Sequence, residues 1–255
     1  MKLIVNADDC GYSKNSNRHI KEAIEKGKIS STTIMANMDE TEEAALLYET
    51  FHSTTSFGIH LNLTEGIPLI SSQRLVDFGV YTIKNDVISF CYDNVERFKY
   101  TRLPKDVKEA IYKELAAQII KLQHMGISLS HIDSHQHIHT FPSLMGIIAQ
   151  LQKDFDIHKI RRILNYVPNH TLSYWGRQTW YLISKTYNSH SVMTDVFSPF
   201  QDFFDNPTLR QFGNNESLEL MVHPGHYQEI YQKEEQFMLN TEYPEKMTLI
   251  NYRML

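Results

Sequence analysis

Leu3-Ile4-Val5-Asn6-Ala7-Asp8-Asp9-Cys10-Gly11 sets the pattern that decides the fold. Leu3-Ile4-Val5 reads as a short apolar strand, and it ends at once in a polar turn from Asn6 to Gly11. Ser13, Asn15 or Ser16 can cap the helix that follows. Its apolar face is Ile20, Ala23 and Ile24, and Gly27 stops it. Ser30-Ser31-Thr32-Thr33-Ile34-Met35-Ala36 is β-branched and apolar, and predicts a strand. Thr41 to Thr50 predicts a helix. Phe57-Gly58-Ile59-His60-Leu61-Asn62-Leu63 predicts a strand running into a loop with Gly66 and Pro68. Strand and helix signals thus alternate from the first residues, which predicts an α/β fold of βα units around a largely parallel sheet.

Residues 70–104 break this rhythm. Val80-Tyr81-Thr82-Ile83 and Val87-Ile88-Ser89-Phe90 flank Lys84-Asn85-Asp86 and predict a small hairpin, read here as an inserted lid over one end of a single domain spanning 1–255. After Pro104, Val107, Ile111, Leu115, Ile119 and Leu122 recur at helical spacing up to Gly126. A strand over Ile127 to Ile132, a His-rich turn and a helix over Phe141 to Gln152 follow. Lys159 to Leu164 and Leu218 to Val222 are strand-like, and Met247 to Leu255 can form one more short strand. The order of elements in 170–215 does not follow from the sequence.

With 255 residues, 42% hydrophobic and 22% charged, the chain can bury a substantial core. The net charge of −5 and the lack of any basic block longer than two residues argue against a nucleic-acid partner. No apolar run approaches the ~20 residues that span a bilayer. The start meets Asn6, Asp8 and Asp9 too soon for a signal peptide, so the expected place is the cytoplasm, with Cys10 and Cys91 as free thiols.

Three separate strand signals end in metal-type residues: Asp8-Asp9, then His60, then His131-Ile132-Asp133-Ser134-His135-Gln136-His137-Ile138-His139. Sites in α/β sheets and barrels form at the carboxyl ends of strands, so these residues can converge on one mouth. A carboxylate with two imidazoles suits Zn²⁺, Fe²⁺ or Mn²⁺ and leaves positions for water and substrate. Taken singly, the Asp pair equally fits a turn or capping device, and His60 a satisfied structural histidine. Four histidines and an aspartate within nine residues are harder to account for by packing, although some of them are spare or contact ligands and substrate. His223-Pro224-Gly225-His226 after a strand fits either a proline turn or a general acid or base at the rim. The aromatics Tyr174, Trp175, Trp180, Tyr181, Phe197, Phe200, Phe203 and Phe204 fit a core or a sugar-stacking groove. There is no dinucleotide or Walker loop and no nucleophile elbow.

Taken together, Asn6-Ala7-Asp8-Asp9 with Gly11, Gly58-Ile59-His60-Leu61-Asn62-Leu63-Thr64 with Gly66 and Pro68, the His131–His139 run with Pro142, and His223-Pro224-Gly225 resemble the YdjC-like carbohydrate deacetylases, the group that includes the diacetylchitobiose deacetylases. The resemblance runs from residue 3 to about 226. It implies a distorted, incomplete β/α barrel similar to that of the polysaccharide deacetylases. It also implies hydrolysis of N-acetyl groups from a chitobiose-like oligosaccharide, phosphorylated or not, with release of acetate. One divalent ion, Mg²⁺ in the family, would be held by Asp9, His60 and His135. Asp8 would be the base and His223 the acid. Arg161, with Arg162 as its rival, would tether a catalytic carboxylate. Asp133, His137, His139 and Asn62 would contact substrate or support the ligands, and a homodimer is implied. Two imidazoles favour Zn²⁺ or Mn²⁺ over Mg²⁺. Cys10 stands where the family carries an aromatic, which bears on substrate preference, and the tail after His226 is short.

Asp8 and Asp9 are adjacent and would face opposite ways on a regular strand, so this reading requires the strand to bend at its end. Two rivals remain: a metal-dependent phosphoesterase or hydrolase of phosphorylated sugars, which needs a cationic clamp on phosphate and usually a second metal, and a non-catalytic sugar- or metal-binding module.

Overall fold

A computed structural model describes residues 1–165, 191–205 and 216–255, together with Gly176, Thr179 and Leu182. Tyr174, Trp175, Trp180 and Tyr181 lie outside the described residues. The first strand, β1 (Lys2–Cys10), is buried from Leu3 onward and sits in the middle of the sheet. Then come α1 (Lys14–Glu25), β2 (Ser31–Ile34), α2 (Thr41–Phe51) and β3 (Ser56–Leu61), as the alternation predicts. Ser13 caps α1 by accepting a hydrogen bond from the Ser16 backbone N–H, and Ile20, Ala23 and Ile24 are the buried face.

The excursion forms α3 (Gln73–Phe78), an antiparallel hairpin of β4 (Tyr81–Lys84) and β5 (Val87–Phe90), and α4 (Tyr92–Phe98). The hairpin is a sheet of its own. It is moored to α5 (Lys105–His124) by Glu114, a fully buried carboxylate that accepts from the Leu69 and Ile70 N–H groups and from the Tyr81 hydroxyl.

The second half carries β6 (Ile132–Ser134), a tight 3₁₀ stretch over His135–Thr140, α6 (Pro142–Asp154), β7 (Val196–Pro199), α7 (Phe200–Asp205), β8 (Ser217–Val222), α8 (Glu229–Asn240) and β9 (Thr248–Leu249). The strands run parallel in the order β6-β3-β2-β1-β8-β7, with β9 beside the first residues of β1.

Three sequence expectations change. Regular pairing of β6 starts only at Ile132 rather than Ile127. Lys159 to Leu164 make single bridges, Ile160 to Ile132 and Lys159 to Val192, rather than a regular strand, and the buried Arg161 side chain reaches inward from this segment. The tail contributes just Thr248–Leu249 and then a 3₁₀ turn, which Asn251 caps and which carries Tyr252 into the core.

The sheet is curled into an incomplete barrel, and Arg161 shows how far. Its segment lies beyond β6, five strand spacings from β8, or about 24 Å on a flat sheet. Yet Arg161 Nε is 2.7 Å from Glu219 Oε1 on β8, across the barrel interior. No helix among the described residues is long and apolar enough to cross a membrane.

Candidate metal and acid–base site

The residues singled out in sequence collect at the carboxyl ends of β1, β3, β6 and β8. The required bend in β1 is present: Asp9 has φ +63, and the register against β2 shifts between Ala7 and Cys10. Aspartate enters this left-handed region more readily than most residues. The bulge allows Asp8 and Asp9 to serve one mouth although they are neighbours.

Asp9 Oδ1 lies 3.2 Å from His60 Nε2 and 2.9 Å from His135 Nδ1. One atom of each of these residues falls within 4.8 Å of the other two. The far nitrogen of each imidazole also meets a carboxylate. His60 Nδ1 is 2.7 Å from Asp133 Oδ1, and His135 Nε2 is 3.4 Å from Glu65 Oε1. Carboxylate-backed imidazoles are the usual surroundings of histidine metal ligands. This donor set of one oxygen and two nitrogens, with His60 already oriented from behind by Asp133 and Glu65 close to the far side of His135, fits a divalent cation. Burial opposes protonation of both rings, but Asp133 and Asp9 push His60 up to about 10, and Asp9 and Glu65 push His135 up to about 9. The same cluster therefore attracts positive charge strongly.

Beside the triad, Arg161 is fully buried and binds Asp8 bidentately, with both N···O distances 2.6 Å. It also meets Asp133 Oδ2 at 2.9 Å and Glu219. Burial raises the Asp8 carboxyl, but the guanidinium outweighs it and holds Asp8 well below the usual carboxylate range. Arg162 points elsewhere, donating to the Thr194 and Asp195 carbonyls. His223 Nε2 stands 4.0 Å from Asp8 Oδ2. Its backbone N–H and Nδ1 both meet Glu234 Oε2, at 2.9 and 3.3 Å. Burial disfavours the imidazolium of His223, yet Glu234 and Asp8 raise its pKa above the ordinary value.

The remaining predicted residues separate clearly. Asp133 faces His60 and Arg161, behind the triad. His137 is half-buried near Arg161, Asp8 and His60, its pKa pushed down to about 3 by loss of solvent and by Arg161. His139 is held by Ser134 through its ring and its backbone N–H, and is neutral. Asn62 shapes a loop: its Oδ1 accepts from the Thr64 and Glu65 N–H groups and its Nδ2 donates to the Glu65 carbonyl. Phe197, Phe200 and Phe203 are wholly buried and belong to the core rather than a sugar groove. Cys10 is buried, and burial pushes its thiol up to about 12, so it is no nucleophile.

Sequence reading passed over Glu65, Glu219, Glu234 and Tyr12. Glu219 carried a signal, being the one charge inside the apolar run Leu218 to Val222. Glu65 and Glu234 carried none, because their partners are set by how loop and helix pack. Tyr12 lies between His135 and His226, with ring centroids 6.5 and 6.1 Å away, and His226 stacks on the exposed Tyr227 at 4.5 Å. This aromatic ladder climbs from the triad to the surface.

Curled sheet and site define a half-barrel with an Asp/His/His centre flanked by a tethered carboxylate and a carboxylate-backed histidine. The model of the YdjC-like proteins matches residues 2–249. A carbohydrate deacetylase of Clostridium beijerinckii is 33% identical over 229 residues, 89% of this chain and 82% of that protein. One of Geobacillus stearothermophilus is 31% identical over 236 residues, 88% of this chain and 79% of its own. One of Brevibacillus brevis is 39% identical over 159 residues, which make up 62% of this chain and 58% of that protein. A solved structure from Enterococcus faecalis V583, described as a "putative cellobiose-phosphate cleavage protein", shares the fold at a TM-score of 0.73 and 21% identity, covering 99% of this chain and 98% of that one. The chain belongs to the YdjC-like family.

Proposed function

We propose that the protein is a metal-dependent hydrolase that removes N-acetyl groups from acetylated amino-sugar oligosaccharides of chitobiose type, releasing acetate. The observation that carries this reading is the placement of Asp8 and His223 beside the Asp9/His60/His135 triad, with Asp8 4.0 Å from His223. Asp9, His60 and His135 would hold a divalent ion, which when bound acidifies water and polarises a carbonyl.

Amide hydrolysis also needs a base for the water and a proton for the amine that leaves. Asp8, fixed by two bonds to Arg161, is an oriented acceptor for the water proton rather than a strong base. His223, whose hold on a proton Glu234 strengthens, is placed to give that proton to the departing sugar nitrogen. The aromatic ladder of Tyr12, His226 and Tyr227 offers faces for the sugar rings. The names of the relatives support a carbohydrate substrate. A phosphoesterase is less well supported, because Arg161 is spent on three buried carboxylates and cannot clamp a phosphate.

The test is acetate release from N,N′-diacetylchitobiose by protein stripped with chelator and reloaded with Mg²⁺, Mn²⁺ or Zn²⁺, with His60→Ala alongside. Acetate that depends on the metal and disappears in His60→Ala is expected. A wild type that binds metal yet releases no acetate from this sugar or its phosphorylated form would sink the proposal.

A further inference from the structure

Among the carboxylates at the mouth, Glu65 stands out by how it is held. It sits on the loop after β3, about one-third exposed at its side chain. Surface loops of this kind usually leave a glutamate free to move. Here the backbone is fixed on both sides. Asn62 Oδ1 accepts from the Glu65 N–H at 3.2 Å. The Glu65 carbonyl accepts from Asn62 Nδ2 at 2.7 Å and from Asn37 Nδ2 at 3.0 Å. Asn62 and Asn37 are themselves bonded to one another and buried. Two buried amides thus aim one carboxylate. It points at His135 Nε2, 3.4 Å away, a buried nitrogen that has no hydrogen-bond partner of its own.

The two histidines of the triad are consequently mirror cases. His60 is held at Nδ1 by Asp133 and offers Nε2 to the centre. His135 is approached at Nε2 by Glu65 and offers Nδ1. A neutral imidazole has one N–H and one lone pair, and the partner of the N–H decides which nitrogen is free to ligate. We propose that Glu65 is the positioning residue for His135: it accepts the Nε2 proton and so presents the Nδ1 lone pair to the metal. This rests on the metal reading given above. Asn62, from this viewpoint, acts on the centre through Glu65.

The experiment is calorimetric titration of the full metal-stripped chain with Mn²⁺, comparing wild type, Glu65→Ala and Glu65→Gln, with the melting temperature of each in chelator as a check on folding. Loss of an outer partner of a metal-bound histidine typically weakens metal binding ~10–100-fold. The 3.4 Å contact is looser than the 2.7 Å bond behind His60, so the lower end is expected for Glu65→Ala. Glu65→Gln should keep most of the affinity, since its amide oxygen still accepts from Nε2–H. Nitrogen-15 spectra of labelled histidine in the protein loaded with diamagnetic Zn²⁺ should show the Nε2–H form of His135 in wild type and Glu65→Gln, and its loss in Glu65→Ala. Equal affinity in wild type and Glu65→Ala overturns the proposal. So does a Glu65→Gln as weak as Glu65→Ala, which would make Glu65 a ligand itself. A wild type that binds no Mn²⁺ overturns the metal reading and this proposal with it.

Discussion

Asp8 and His223 face each other across 4.0 Å with opposite electrostatic settings. Arg161 drives Asp8 toward the anion, and Glu234 drives His223 toward the cation. With His223 in the proposed role of acid, which acts while it holds its proton, activity should fall as pH rises through the His223 pKa. Glu234→Gln removes the carboxylate that lifts this value, leaving Asp8 and the Tyr231 ring as close neighbours. The alkaline limb of kcat/KM should therefore move to lower pH in Glu234→Gln, with Glu234→Asp restoring part of it. A pH–rate profile reads this directly, and an unmoved limb would disconnect Glu234 from the acid. At this scale the sequence announced the triad, Asp8 and His223, since metal-type residues at strand ends stand out. It did not announce Glu234, whose partner lies eleven residues back and meets it only through the packing of α8 on the end of β8.

Among the elements, β3 shows how backbone and site depend on each other. A Cβ placed on Gly58 would lie 2.5 Å from the His131 ring, which stacks on Tyr252 at a centroid distance of 3.6 Å. Neither ring has room to retreat, because His131 is wholly buried and Tyr252 donates to Glu219. Gly58→Ala should therefore cost about 1–3 kcal/mol, the usual range for overpacking, measurable by chemical denaturation. A variant as stable as wild type would mean that the His131–Tyr252 stack shifts freely. The helix α5 was legible to the residue, because its buried positions repeat with helical spacing. The segment around Arg161 was not. Its apolar and β-branched residues describe a strand, but only single bridges form, and the one arginine there satisfies three carboxylates, a demand invisible locally.

For the molecule as a whole, the alternating signals gave the α/β class, while the curl depended on contacts between distant strands. The site that the curl creates makes stability respond to pH. In the metal-free protein His60 at about 10 and His135 at about 9 stand above their unfolded values near 6.5, and His223 is raised as well. A raised folded pKa stabilises fully below the unfolded value and loses that contribution as pH climbs through the folded one. The melting temperature in chelator should thus decline between pH 6.5 and 10. Metal must displace those same protons, so Mn²⁺ affinity should rise over this interval and protons should be released on binding. Differential scanning fluorimetry with and without metal tests both trends, and a flat chelator curve would show that the imidazoles are neutral in the free protein.

The sheet is stitched shut by a residue that comes late in the chain. Asp9, His60 and His135 have all been synthesised by residue 135, and Asp8 and Asp133 with them, whereas Arg161 follows and Glu219 and His223 come later still. Along the chain, then, the acidic residues of the pocket precede their guanidinium. A cation captured by the nascent triad would hold β1, β3 and β6 together until the arginine arrives. Ion loading and the final closure of the barrel would in that case be successive steps of one birth, the first written in the order of the codons.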